Sequence, residues 1–347
     1  MRRLPILSVA VLFHFAAIGS SQLNNLVTIK DGEANGGCDS YRVELDNWYE
    51  EARQSLESAL AGIADYNENT PDGLRVRKAM YHWFRIPMTI KKDGLKQLVI
   101  DVAKRLSQVA DWLDGKMVDI PQDKTLLFCN SDFLVQKDAN KDEARDYQGK
   151  IIKKDDKDVL INQIAAYADV LGGNIPWWSG QYTDVNGYYF TSPKSGGKYC
   201  ASEALGLTAT LMELTNDGVT IPGQQVQTIV ICPYAFNTPL PRSYSDAVAM
   251  IDVGSSLATV VPRSATLLHE AFHVVFGTGM LQGAAETYGL AECLEVGRAN
   301  VKSARLNPEN YVYFVAAMHF LYGDTAGVMP PNWDFATDGP NKAKKYS

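Results

Sequence analysis

Apolar residues in the first third of the chain recur at helical steps. The pattern in "SYRVELDNWYEEARQSLESAL" predicts a helix over residues 40–60, and "GLRVRKAMYHWF" continues in the same style. In "GLKQLVIDVAKRLSQVADWLDG", Leu98, Val99, Val102, Leu106, Val109 and Leu113 fall at three- and four-residue spacings, and Gly115 marks the stop. The pattern then changes. "TLLFCN" at 125–130 predicts a short buried strand, and "NGYYFTS" and "QTIVICPYAF" are rich in β-branched and aromatic residues between turn formers. The mixed charges of 136–158 mark a solvated loop or an exposed helix. From Pro262 the helical spacing returns, and the proline- and glycine-containing stretch 329–347 is expected to be a flexible tail. Helices, scattered strands and helices again predict an α+β fold, mainly helical with a small twisted sheet, not alternating βαβ units.

The extreme N-terminus stands apart from this pattern. Arg2 and Arg3 precede an apolar run from Leu4 to Ile18 and then small residues, the order of a secretory signal peptide over 1–19. The run is short for a bilayer span, so no membrane association is expected after its removal. Composition adds a bound on partners. The chain has 33 basic and 40 acidic residues, a net charge of −7, and becomes more acidic once Arg2 and Arg3 are lost. No basic patch offsets this, so nucleic acid is not the expected partner. Cys38, Cys129, Cys200, Cys232 and Cys293 are widely spaced, with no CxxC pair. In an oxidising compartment they predict two disulfides and one leftover thiol, with the pairing open.

The candidate chemistry lies in "LLHEAFHVVFGTG", residues 267–279. On a helix at about 100° per residue, His273 falls about 40° from His269, and Glu270 about 100° from it. Leu267, Leu268, Ala271, Phe272, Val274 and Val275 fill the opposite arc, and Gly277 and Gly279 end the element. One face is apolar and the other carries only the two imidazoles and the carboxylate. Two histidines one turn apart can ligate one Zn2+ ion, and the intervening glutamate can act as general base on water. Two imidazoles and a carboxylate on one helical face are also costly to bury without a partner. A catalytic zinc takes three protein ligands, and Glu286, Glu292 and Glu295 are the downstream candidates. His82 and His319 read as packing histidines.

"AAETYGLAEC" followed by "NPENYVYFVAAM", with "TIVICP" upstream, resembles the deuterolysin-like (aspzincin) fungal secreted zinc endopeptidases. The resemblance covers 225–322 and is carried by Tyr288-Gly289 and by Asn307 to Tyr311. It implies a zincin-like metallopeptidase fold and cleavage of extended peptide segments. It also implies a metal-binding aspartate three residues before Tyr288, where this chain has Ala285. The neighbouring Glu286 is inferred as the substitute ligand. Glu292 competes, because its distance from His273 is similar to the HExxH-x18-E spacing of gluzincins. Tyr288 is expected either to hydrogen-bond a developing oxyanion or orient a ligand, or to pack under the site; Tyr311 is expected to pack.

The expected protein is thus a secreted, monomeric zinc endopeptidase acting on protein or peptide. One zincin-like domain would run over 20–328, with a helical N-terminal part and a catalytic part at about 200–325. His269, His273 and Glu286 would hold the metal, Glu270 would be the base, and Tyr288 would assist. The alternative is a zincin-fold protein that has lost activity and binds a partner, a reading motivated by Ala285.

Overall fold

The computed structural model describes residues 23–32, 35–89, 93–180, 186–191, 199–200, 203–281, 285–299, 301–323 and 333–345. The expected signal segment lies outside them. The fold is α+β, with helices predominating over small sheets.

Six helices build the main body: α1 (Arg42–Ala64), α2 (Pro71–Phe84), α3 (Asp93–Leu113), α4 (Ala265–Phe276), α5 (Leu290–Ala299) and α6 (Pro308–Tyr322). Their starts and stops have local causes. Thr70 caps α2 by accepting from Gly73 N–H at 3.1 Å, with Pro71 in the first turn where a missing N–H costs nothing. Gly277, at φ 60°, closes α4, and its N–H donates to His273 O at 2.8 Å. Helix α6 is apolar nearly all round, and residues from Pro308 to Leu321 are buried except Glu309. A helix of that kind belongs at the centre of a core. It packs against α1, α2 and α4.

The main sheet has four strands: β1 (Thr28–Ile29), β2 (Thr125–Phe128), β3 (Gly206–Leu214) and β4 (Thr220–Ile231). Their spatial order is β1-β2-β4-β3, parallel except for the antiparallel β3–β4 pair. Side chains alternate between two cores, as the period of two requires. Leu127, Ile229 and Ile231 face the helices. Leu126, Phe128, Val226 and Val230 face a second core with Phe133, Trp177 and Tyr189. A three-stranded antiparallel sheet (Val135–Gln136, Ile175–Trp178, Tyr188–Thr191) closes that side. Helix α4 lies between β3 and β4 on one side and α1, α3 and α6 on the other. Strand β3 is not among the strands predicted from sequence. Leu207, Ala209 and Leu211 do alternate with Thr208 and Thr210 and face the second core, and pairing with β4 completes the strand.

The disulfides are Cys38–Cys129 and Cys200–Cys232, and Cys293 is free and buried. The first ties the segment after β1 to the end of β2, and the second holds residue 200 against the end of β4. Among the described residues no helix is long and apolar enough to cross a membrane.

The expected flexible tail is packed where it is described. Trp333–Asp334 pairs with Lys344–Lys345, and Phe335, Ala336 and Ala343 are buried in the main core. Asp334, 2% exposed, accepts from Arg75 Nε at 3.1 Å and from the N–H groups of Ala336 and Thr337 at 2.7 and 2.9 Å. Its composition is that of a loose tail, but one buried carboxylate and three buried apolar residues anchor it.

Candidate metal centre

Helix α4 delivers His269 and His273 from one face, because four residues make just over one turn. Leu267, Leu268, Ala271 and Phe272 on its other side are buried in the core, so the helix cannot rotate the histidines away. The loop before α5 brings a third group. Glu286 Oε1 lies 2.9 Å from His273 Nε2 and 3.2 Å from His269 Nε2, and the two Nε2 atoms are 3.3 Å apart. These three side chains can hold a metal ion. The separations fit such an ion: ligand atoms at zinc–nitrogen bond lengths around a tetrahedral centre sit about 3.3 Å apart. Electrostatics point the same way. Burial alone would raise the Glu286 carboxyl, yet the bonds to His269 and His273 hold it well below its usual range. Burial alone would lower His269, yet Glu286 and Glu309 raise it well above its usual value.

His269, His273 and Glu286 converge as expected. Ala285, at the position the resemblance gives to aspartate, is exposed, and a one-residue shift places the longer Glu286 side chain at the histidines. Glu292 is not brought to them. It is exposed in the first turn of α5, with its carboxylate packed against Gly289. Tyr288 lies at the site with its ring stacked on His269, centroids 5.6 Å apart, and its hydroxyl donates to Glu286 Oε2 at 2.8 Å. That bond leaves Oε1 turned to the histidines, so Tyr288 orients the ligand. Tyr311 is fully buried and packs as expected. His319 is buried with Nδ1 2.9 Å from Ser58 Oγ, and His82 Nε2 is 3.1 Å from Ala336 O, both far from the cluster in role.

Glu270, 3% exposed, is not part of the ligand set. It faces the start of β3, an edge strand, where Thr208 Oγ1 donates to Glu270 Oε2 at 2.7 Å. A Cβ at Gly206 would come within 2.6 Å of Glu270 Oε1, so the carboxylate occupies space that only glycine leaves. Burial pushes the Glu270 carboxyl upward, and His269 and His273 pull it back.

Two supporting residues were not assigned roles from sequence. Glu309 Oε2 lies 2.8 Å from His269 Nδ1. A carboxylate there fixes the proton on Nδ1 and leaves the Nε2 lone pair for a metal. Asn307 brackets Thr287, accepting its N–H at 3.1 Å and donating to its carbonyl at 2.8 Å, which fixes the loop bearing Glu286 and Tyr288. Both belong to "NPENY", so the signal was visible, but its link to the histidines is tertiary. Thr208 carried no signal at all, being one threonine 62 residues from its partner.

The chain matches no protein-family model, no curated protein and no solved structure.

Proposed function

We propose that the chain is a secreted zinc endopeptidase of zincin type. The observation that carries this reading is the convergence of His269, His273 and Glu286 beside a buried glutamate that ligates nothing. Two nitrogens and one oxygen are a donor set suited to catalytic zinc. Zinc bound there supplies Lewis acidity, lowering the pKa of water and polarising a carbonyl.

The chain's own groups do the rest. Glu270 accepts the proton of the attacking water and passes it to the leaving amine. Thr208 and the bare backbone of Gly206 fix its carboxylate, so little reorganisation accompanies the transfer. Tyr288 holds Glu286, and Glu309 holds His269 in the ligating tautomer. Strand β3 ends the main sheet, and no strand pairs with its outer side among the described residues. An extended peptide can add there through backbone hydrogen bonds, and that places its amides beside Glu270. Secretion is supported by the signal-like residues 1–19 and by the two disulfides.

The test is to measure zinc in the purified protein and to compare casein cleavage by wild type and Glu270→Gln. The reading expects zinc in both and loss of cleavage in the variant by at least about 100-fold, the usual scale of general-base catalysis. Zinc in both proteins with no glutamate-dependent cleavage instead supports a binding protein.

A further inference from the structure

A cavity of about 540 Å3 opens beside the metal cluster, sharing His269 with it and taking Glu270, Tyr288 and Glu309 into its wall. Its remaining wall is mainly apolar and comes from four segments, of which the loop before α5 supplies Tyr288 and Gly289. Leu205 and Leu207 enter from the start of β3, Leu240, Ala258 and Val261 from the segment preceding α4, and Val312 from α6. The carboxylates that reach the cavity are engaged or peripheral. Glu270 is bonded to Thr208 and Glu309 to His269, while Glu203 is exposed. Both bonded carboxylates lie at the end of the cavity nearest the histidines, and Glu203 lies on the surface.

The wall is also held in place. Arg263, one residue before the cap of α4, donates to the carbonyls of Phe236 and Thr238 and, through Nε at 3.2 Å, of Leu240. Its own N–H donates to Pro241 O at 2.9 Å. The loop carrying Leu240 is therefore tied to the base of the helix that carries the histidines, and the cavity exists before a ligand arrives. A preformed apolar pocket with a few convergent polar groups at one end is the usual form of a recognition site.

We infer that this cavity is a specificity pocket that takes a large apolar side chain, such as that of leucine or phenylalanine, from one of the two residues flanking the cleaved bond. The inference rests on the endopeptidase reading for its occupant, whereas the pocket's preference stands independently of it. Leucine exceeds alanine by three carbon atoms, and at the usual value of a buried methylene this corresponds to a preference of roughly 50-fold. A lysine would have to strip its ammonium of water against a wall that is mainly apolar.

The test has two readouts. First, the full, disulfide-bonded, metal-stripped chain is titrated with the N-acetyl amides of leucine, phenylalanine, alanine and lysine and followed by NMR. The leucine and phenylalanine amides are expected to bind at least about 30-fold more tightly than the alanine amide. Ala258→Trp and Leu240→Trp, which fill the cavity from partly exposed positions, are each expected to abolish the difference. Equal binding of all four amides, preference for lysine, or wild-type preference in both folded variants overturns the pocket. Second, the zinc-loaded protein is given a random peptide library. Enrichment of leucine, isoleucine, phenylalanine or methionine beside the cut is expected, and a flat or basic profile overturns the inference. A chain that prefers the leucine amide but cleaves nothing refutes the endopeptidase reading and leaves the pocket standing. Cleavage without apolar preference does the reverse.

Discussion

Replacing Glu309 by alanine tests whether the carboxylate behind His269 is part of the metal site. His269 is 7% exposed, and its Nδ1 lies 2.8 Å from Glu309 Oε2. Without that acceptor a buried imidazole N–H loses its partner, at a cost of about 1–3 kcal/mol. The ring also loses the restraint that keeps Nε2 pointed at Glu286. Partners of this kind are typically worth about 10- to 100-fold in metal affinity, or about 1.4–2.7 kcal/mol. Glu309→Gln keeps an acceptor but not its charge. Neutral hydrogen bonds are about half as strong as charge-assisted ones, so the amide should lose about 3- to 10-fold. The assay is competition for zinc against a chromophoric chelator, with melting of the metal-free proteins followed in parallel. The expected order of affinity is Glu, then Gln, then Ala, with the metal-free alanine variant destabilised by no more than the lost hydrogen bond, about 1–3 kcal/mol. An alanine variant with wild-type zinc affinity refutes the role. So does an affinity loss that merely tracks destabilisation of the metal-free fold.

Further outcomes follow from other contacts. Gly206→Ala puts a Cβ where Glu270 Oε1 now sits, 2.6 Å away, and should reduce cleavage at least about 10-fold while zinc content, read by elemental analysis, stays unchanged. Glu51, bonded to Ser264 at the start of α4 and to Tyr244 N–H, has its carboxyl pushed up by burial from 4.5 to about 7. Its contribution to stability is fully present below about pH 4.5 and is lost as pH rises through about 7, so the gain in stability from Glu51→Gln should grow over that window to at most about 3 kcal/mol in urea unfolding. Asp334→Ala removes the buried carboxylate that accepts from Arg75 Nε and from the N–H groups of Ala336 and Thr337, while Arg75 keeps Asp72, and should destabilise the fold by about 2–3 kcal/mol, read as a lower denaturation midpoint and faster proteolysis of the C-terminal segment.

The parts legible in the sequence were those whose determinants are local. Helices α1 to α4 follow from apolar spacing, with stops at Gly115 and Gly277, and the shared face of His269, Glu270 and His273 follows from helical geometry. Strand β3 was legible only in part: "GLTATLMEL" alternates, and its role comes from pairing with β4 at one edge of the sheet. The choice of Glu286 over Glu292 was only half legible. Spacing along the chain permits both, and what separates them is the course of one loop, held by Asn307 through Thr287. The C-terminal segment misled for a related reason: Asp334 and Phe335 find their partners, Arg75 and Phe320, on distant helices. Contacts of that kind have no periodicity to read.

The central claim is that His269, His273 and Glu286 form one metal site. Its most direct test is the zinc affinity of wild type, Glu286→Ala and Glu292→Ala, each measured by chelator competition on the same purified, disulfide-bonded chain. The site described here predicts tight binding of one zinc per chain in wild type and Glu292→Ala and a sharp loss in Glu286→Ala. A Glu286→Ala variant that holds zinc as tightly as wild type, or a sharp loss in Glu292→Ala alone, contradicts it.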